Sequence, residues 1–201
     1  MEAVPSDADL LDRWRAGDAI AGQQLFKRHF ESVYGFFETK CPREADELTQ
    51  STFLACVRSK DRFRNESSFR TYVFTIARHE LHHLLRRWAR HDAKLDFELS
   101  SIADVLTTPA TRLARDQEHR QLIAVLQELP VDQQALLELH YKQDVDIADL
   151  AEIFEVTPQI VRQRLHRARK ALRDRLERLA KSELDTLHRR DDWAARLTRD
   201  G

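Results

Sequence analysis

The chain has 201 residues, 33% of them charged and 42% hydrophobic, with 33 Lys and Arg against 34 Asp and Glu for a formal net charge of −1. That is enough apolar material to exclude a wholly disordered chain, and 4 Gly and 5 Pro are too few for the turns of an all-β sandwich. A near-neutral total argues against indiscriminate binding of nucleic acid over the whole surface, but says nothing about local patches.

In chain order, Asp7 to Gly17 reads as a helix carrying Leu10, Leu11 and Trp14. Gln23 to Phe37 places Leu25, Phe26, Phe30, Val33, Tyr34 and Phe37 on one helical stripe. Pro42 interrupts, and Glu44 to Arg58 resumes helix with Leu48, Phe53, Leu54 and Val57 as its apolar positions. Asp61 to Ser68 is polar and reads as a loop, with Ser68 as N-cap of a helix from about Phe69 to Arg90. Between His91 and Ala114 the periodicity fades, and this stretch reads as a linker. Helix returns at about Arg115, stops at Pro130 and restarts through Gln133 to Tyr141. Two more helices follow, Ile147 to Phe154 and Pro158 to about Leu184, and then a charged tail. The expected fold is all-α, with two small helical domains, 1–90 and 115–184, joined by a flexible linker over 91–114 and followed by a tail over 185–201. No run of about 18 apolar residues occurs, so no membrane span is expected. No signal peptide precedes the first helix, and Cys41 and Cys56 fit neither a disulfide framework nor a metal knuckle. These features point to a cytoplasmic setting.

The charge is unevenly spread. Between Lys60 and Arg90, eight basic residues face three acidic ones, and between Thr157 and Ala180 eight face two. Residues 1–59 reverse this, with ten acidic against seven basic. Two basic patches in different halves suit a phosphate backbone, which such patches attract by releasing its counterions.

The segment Asp146–Lys170 is the strongest local signal. Asp146 can cap a first helix with Ile147, Leu150, Ala151 and Phe154 facing inward. Val156 sits in a turn, Thr157 caps a second helix, and Pro158 takes its first position, where a missing N–H costs nothing. Ile160, Val161, Leu165 and Ala168 face the core. Gln159, Arg162, Gln163, His166 and Arg167 are left outward, as a recognition helix in a major groove requires. Glu155 stands where such turns usually carry Gly, in a left-handed conformation that a side chain disfavours. An ordinary helical hairpin is the plainer alternative.

The motifs then fall into a family pattern. The runs Glu44-Ala-Asp-Glu-Leu-Thr-Gln-Ser-Thr-Phe-Leu54, Asp61-Arg-Phe-Arg-Asn-Glu-Ser-Ser-Phe-Arg-Thr-Tyr-Val-Phe-Thr-Ile-Ala-Arg-His79 and Leu84-Leu-Arg-Arg87 resemble region 2 of bacterial sigma factors. Leu126-Gln-Glu-Leu-Pro-Val-Asp-Gln-Gln-Ala-Leu-Leu137, with the helix-turn-helix and Arg164-Leu-His-Arg-Ala-Arg-Lys-Ala-Leu172, resembles region 4. Two regions with nothing substantial between them is the pattern of the extracytoplasmic-function group.

The resemblance implies a protein that binds core RNA polymerase and directs promoter-specific initiation. Asp46, Glu47 and Gln50 would dock on the clamp helices of the β′ subunit, and region 4 would meet the β flap. Arg64, Asn65, Glu66 and Ser67 would hold a base flipped from the minus 10 element, a task that needs a pocket and hydrogen-bonding groups. Tyr72, read as the exposed aromatic, would stack beside it, while Phe69 and Phe74 belong to the core. Arg78, His79, Arg86 and Arg87 would meet the same element along the helix. Thr157, Gln159, Arg162, Gln163, Arg164, His166 and Arg167 would meet the minus 35 element. An anti-sigma factor is a possible further partner. His79 stands where the family often has Asn, and Ser51 where it often has an acid; phosphorylation of Ser51 or Thr52 would restore that charge. His79, His82 and His83 lack the ligand set of a metal site. No cofactor, metal or catalytic constellation is expected. The alternative function is a stand-alone helix-turn-helix regulator that needs no polymerase, and a third is a helical interaction module.

Overall fold

A computed structural model describes residues 4–63, 67–88 and 117–197, with side chains at all of these except 62, 117–121 and 182–197. Helices account for nearly all of it: α1 (Asp7–Arg15), α2 (Ala19–Glu38), α3 (Ala45–Ser59), α4 (Phe69–Trp88), α5 (Gln117–Gln127), α6 (Val131–Tyr141), α7 (Ile147–Ile153) and α8 (Pro158–Leu197), with a 3-10 turn at Lys60–Arg62. The expected linker over 91–114 lies outside the described residues. The last helix continues to Leu197, well past the expected stop near Leu184.

Local chemistry sets the helix starts. Ser6 and Asp9 form a reciprocal capping box at α1. The Asp18 carboxylate accepts from the amides of Ile20 and Ala21 at α2. The Ser68 hydroxyl accepts from the Thr71 amide at 3.0 Å, as its position before Phe69 predicts. Asp146 accepts from Asp149 N at 2.8 Å, and Thr157 from Ile160 N at 3.4 Å, so both helices of the helix-turn-helix carry their expected caps. Gly17, with φ of 102°, makes the left-handed turn between α1 and α2 that other residues resist. Glu155, with φ of 55°, makes the corresponding turn between α7 and α8. A side chain there costs about 1–2 kcal/mol. The turn is closed by Val156 N donating to the Ala151 carbonyl at 2.9 Å.

Helices α1 to α4 pack on one another around Leu10, Leu25, Phe36, Phe37, Val73, Phe74, Leu81 and Leu85. Asp7 fastens α1 to α2 by accepting from Arg28 and pairing with His29, each at 2.6 Å. Helices α5 to α8 pack around Leu129, Leu136, Leu139, Leu150, Ile153, Val161 and Leu165. The two groups are not separate bodies. α4 packs on α7 and α2 on α6, so one buried apolar cluster runs through both. Among the described residues, no helix is long and apolar enough to cross a membrane.

Gly22 shows packing overruling propensity. A Cβ there would lie 2.5 Å from the buried Trp14 ring. Helix propensity alone favours Ala over Gly by about 1 kcal/mol. Overpacking a tight site costs about 1–3 kcal/mol. Gly22→Ala is therefore expected to lower stability by about 1 kcal/mol or more in urea titration, and a variant as stable as the parent would contradict this packing.

Candidate nucleic-acid and polymerase interfaces

Three surfaces carry the residues singled out above. The first lies on α8. Thr157, Gln159, Arg162, Gln163, His166 and Arg167 are all exposed, and Arg164 is half-buried. They project because Val161, Leu165 and Ala168 turn the opposite side of the helix into the core. Ile160 was expected inside but is 38% exposed, being at the end of the helix where the turn leaves it uncovered. It adds an apolar group to an otherwise polar, cationic face, suited to base edges and thymine methyls.

The second surface lies on α3. Asp46, Glu47 and Gln50 are exposed, as expected. Leu54 and Val57, two of the apolar positions read on this helix, are 46% and 43% exposed. They continue the Glu47–Gln50 side of the helix at helical spacing, while Leu48, Phe53 and Cys56 take the buried side. Phe30 on α2 is also exposed, and stacks on Tyr34 at 6.1 Å and Phe53 at 6.4 Å. Burial raises the Tyr34 hydroxyl pKa, and the charges of Glu38, Asp46 and Glu31 raise it further, which marks this corner as acidic. The surface is thus a mixed acidic and apolar patch, not an acidic cluster alone. The exposed apolar residues were missed because periodicity marks an apolar stripe without showing how much of it a neighbour covers. Thr52 is fully buried and donates to the Leu48 carbonyl at 2.8 Å, so a kinase cannot reach it as the helix stands; Ser51 is half-buried.

The third surface lies on α4 and the loop before it. Arg64, Asn65 and Glu66 lie outside the described residues, and Ser67 is half-buried. The entrance of the loop is anchored by Arg15, which donates to the carbonyls of Lys60 at 3.1 Å and Phe63. Tyr72 is not the free aromatic expected. Its ring packs on Phe63 at 4.4 Å, and its hydroxyl shares a hydrogen bond with Ser59. Burial raises its pKa, against the lowering effect of the Ser59 bond. Its role is to hold Phe63 and the loop entrance against α3. Arg86 and Arg87 are exposed.

Arg78 departs furthest from expectation. It is 9% exposed and donates through Nε and Nη2 to the two carboxylate oxygens of Asp132 at 3.0 and 2.8 Å. Its guanidinium lies 4.8 Å from the centre of the Phe154 ring. His82 also pairs with Asp132, at 2.9 Å, and His79 lies 3.5 Å from Glu155. Burial raises the Asp132 pKa, but hydrogen bonds from His82 and Arg78 and the Arg78 charge together hold it below the usual value. For His82, burial dominates and lowers the pKa in spite of Asp132. Among the described residues, no group of three His, Cys, Asp or Glu could hold a metal ion. Both cysteines are free and buried, with thiol pKa values pushed up to about 12 chiefly by burial, so they are poor nucleophiles.

The two regions match known families. Residues 25–91 match the sigma-70 region 2 model, and residues 119–172 match the sigma-70 region 4 model. The chain belongs to the extracytoplasmic-function group of the sigma-70 family. It is 29% identical to RNA polymerase sigma factor YlaC of Bacillus subtilis over 168 residues, which are 80% of this chain and 95% of that protein. It is 24% identical to the ECF RNA polymerase sigma-E factor of Haemophilus influenzae, over 87% of this chain and 97% of that protein. Among solved structures, the sigma factor RpoE of Bartonella quintana, in complex with the anti-sigma factor NepR, shares the fold with a TM-score of 0.59 at 22% identity, over 77% of this chain and 96% of that one. The presence of both regions separates this sigma factor from a stand-alone helix-turn-helix regulator.

The buried His82 sets a pH dependence. Its folded pKa lies below its unfolded value near 6.5, so the unfolded state binds more protons. Stability therefore falls as pH drops below about 6.5 and stops falling below the folded pKa. The loss of stability between pH 7 and pH 5 is expected to be smaller in His82→Gln, measured by urea titration at each pH; identical slopes in parent and variant would exclude His82 as the source.

Proposed function

We infer that this sigma factor binds core RNA polymerase and directs it to specific promoters for DNA-templated transcription initiation. The observation that carries this reading is the pair of regions in one chain, each presenting a surface of the right chemistry. The chain itself catalyses nothing in this reading; phosphodiester chemistry belongs to the polymerase, and the sigma factor works where the polymerase does, in the cytoplasm.

The division of labour among its surfaces follows from their chemistry. The exposed face of α8 enters the major groove at minus 35, with Gln159, Arg162, Gln163 and His166 toward base edges and Arg164 and Arg167 toward phosphates. The α3 face docks on the β′ clamp helices. Asp46 and Glu47 steer the approach to basic groups there, and Leu54, Val57 and Phe30 supply the apolar centre that a stable protein interface needs. Region 4 meets the β flap. The loop residues Arg64, Asn65, Glu66 and Ser67, with His79, Arg86 and Arg87 on α4, engage the minus 10 element, and Tyr72 supports the loop from below; Arg78, held by Asp132, serves the packing of the two halves instead. An anti-sigma factor, as in the Bartonella complex, is a natural regulator of such exposed surfaces.

Run-off transcription with host core polymerase on genomic promoters tests the reading. Specific transcripts dependent on this protein are expected, and their absence would overturn it. Arg162→Ala is expected to weaken minus 35 binding by about 1–3 kcal/mol at fixed salt if Arg162 reads a base. Glu47→Lys is expected to weaken core polymerase binding by about 1 kcal/mol or more, measured by competition against the parent; unchanged affinity would remove α3 from the polymerase interface.

A further inference from the structure

Helix α1 ends against the exit of α3. Arg15, the last residue of α1, is mostly buried. It donates through Nε to the Lys60 carbonyl at 3.1 Å and through Nη2 to the Phe63 carbonyl. Its guanidinium carbon lies 5.6 Å from the centre of the Phe63 ring. Lys60 returns the contact: its ammonium donates to the Trp14 carbonyl at 3.4 Å and lies 5.3 Å from the centre of the Trp14 ring. The Phe63 ring also packs on Tyr72, whose hydroxyl is bonded to Ser59. Carbonyls at the end of a helix have no partner within it, and a cation there meets both their lone pairs and the negative end of the helix dipole. α1 does not need this contact to stay in place. Leu10, Leu11 and Trp14 are buried in the core, and Asp7 ties the helix to Arg28 and His29. What Arg15 fixes is the backbone at residues 60 and 63.

We propose that Arg15 is a positioning residue for minus 10 recognition: by fixing Phe63 it presets the loop that holds the flipped base, and so sets base selectivity without touching DNA. This deepens the sigma-factor reading and rests on it. Only residues 64–67 separate Phe63 from Ser68. Ser68 is the second post, since its hydroxyl accepts from the Thr71 amide at 3.0 Å and its carbonyl from the Tyr72 amide at 3.1 Å. Fixing both ends of so short a segment removes much of the freedom it would otherwise have. Discrimination between bases depends on groups held in place before the base arrives. A loop released at Phe63 yields to a wrong base, so selectivity falls further than affinity. Bridging two carbonyls needs the planar fork of Arg, because Lys keeps the charge but carries its donors on one nitrogen.

The test uses the full chain with Arg15→Gln and Arg15→Lys, two variants that guard against one failing to fold, with folding checked by circular dichroism. Arg13→Gln, which removes an exposed α1 charge paired with Asp18, is the control. Hydrogen exchange in the free chain, read by mass spectrometry, compares the amides of residues 63–68 with those of Val73 to Leu85 on α4. Run-off transcription with host core polymerase uses a genomic promoter from which the parent initiates, together with its single-base minus 10 substitutions. In both Arg15 variants, residues 63–68 are expected to exchange about tenfold faster while Val73 to Leu85 stay unchanged. The ratio of transcript from the parent minus 10 element to transcript from its substitutions is expected to fall about fivefold, with core polymerase affinity, measured by competition, within about twofold of the parent. A merely structural loss would move the α4 amides and the core affinity and leave the ratio alone. Arg13→Gln is expected to match the parent throughout. Folded Arg15 variants with parent-like exchange at 63–68, or with a parent-like transcript ratio, would overturn the proposal. Parent transcripts with unchanged ratios in the variants reject the positioning role alone, whereas faster exchange at 63–68 without transcripts from any protein rejects the sigma reading alone.

Discussion

The relation between the two halves of this protein turns on one carboxylate. Asp132 is 6% exposed and is shared by Arg78 and His82 from the other half. A buried ion pair adds little net stability, because its attraction mainly offsets the loss of water from both charges. Removing one partner costs about 3–5 kcal/mol, because the survivor stays buried and unpaired. Such a contact specifies an arrangement more than it strengthens it. Lys40 and Glu138 repeat the logic at the other end of the interface: burial lowers the Lys40 pKa, and the Glu138 charge opposes that shift. The apolar cluster that runs through both halves supplies the attraction, and the ion pairs choose its register.

That balance suits a protein with several partners. Interfaces between domains of one chain resemble transient protein–protein interfaces, and motion across them is the ordinary expectation. The face of α3 proposed for polymerase combines acid with exposed Leu54, Val57 and, from α2, Phe30, and the α8 face combines Arg, Gln and His with Ile160. Each has apolar area to desolvate and charge to steer. The net charge of −1 averages acidic stretches over residues 1–59 and 91–156 against basic ones over 60–90 and 157–180. It describes no actual surface of the molecule.

Much of this was legible in the residues themselves. Ser68, Asp146 and Thr157 cap the helices they were expected to cap, because capping needs only a side-chain oxygen two or three residues from a free amide. The left-handed turn at Glu155 was legible from its place in the helix-turn-helix motif, and the chain accepts its strain. The outward face of α8 followed from helical period except at Ile160, which was read as inward and is exposed. Less could be read where a neighbour decides the outcome. Leu54, Val57 and Phe30 belong to apolar stripes, but the stripes are wider than what the packing covers. Tyr72 looked free, and is tied down by Ser59 and Phe63.

By itself, then, the sequence determined most of the helices, their caps, the two regions and the faces proposed for DNA and polymerase, since these depend on spacings of a few residues. Only the tertiary structure decided what Arg78 faces. Its partner Asp132 lies 54 residues away, beyond the reach of any periodicity. A basic residue on a basic helix looks like a DNA contact whichever anion it meets, because carboxylate and phosphate offer a guanidinium the same pair of oxygens.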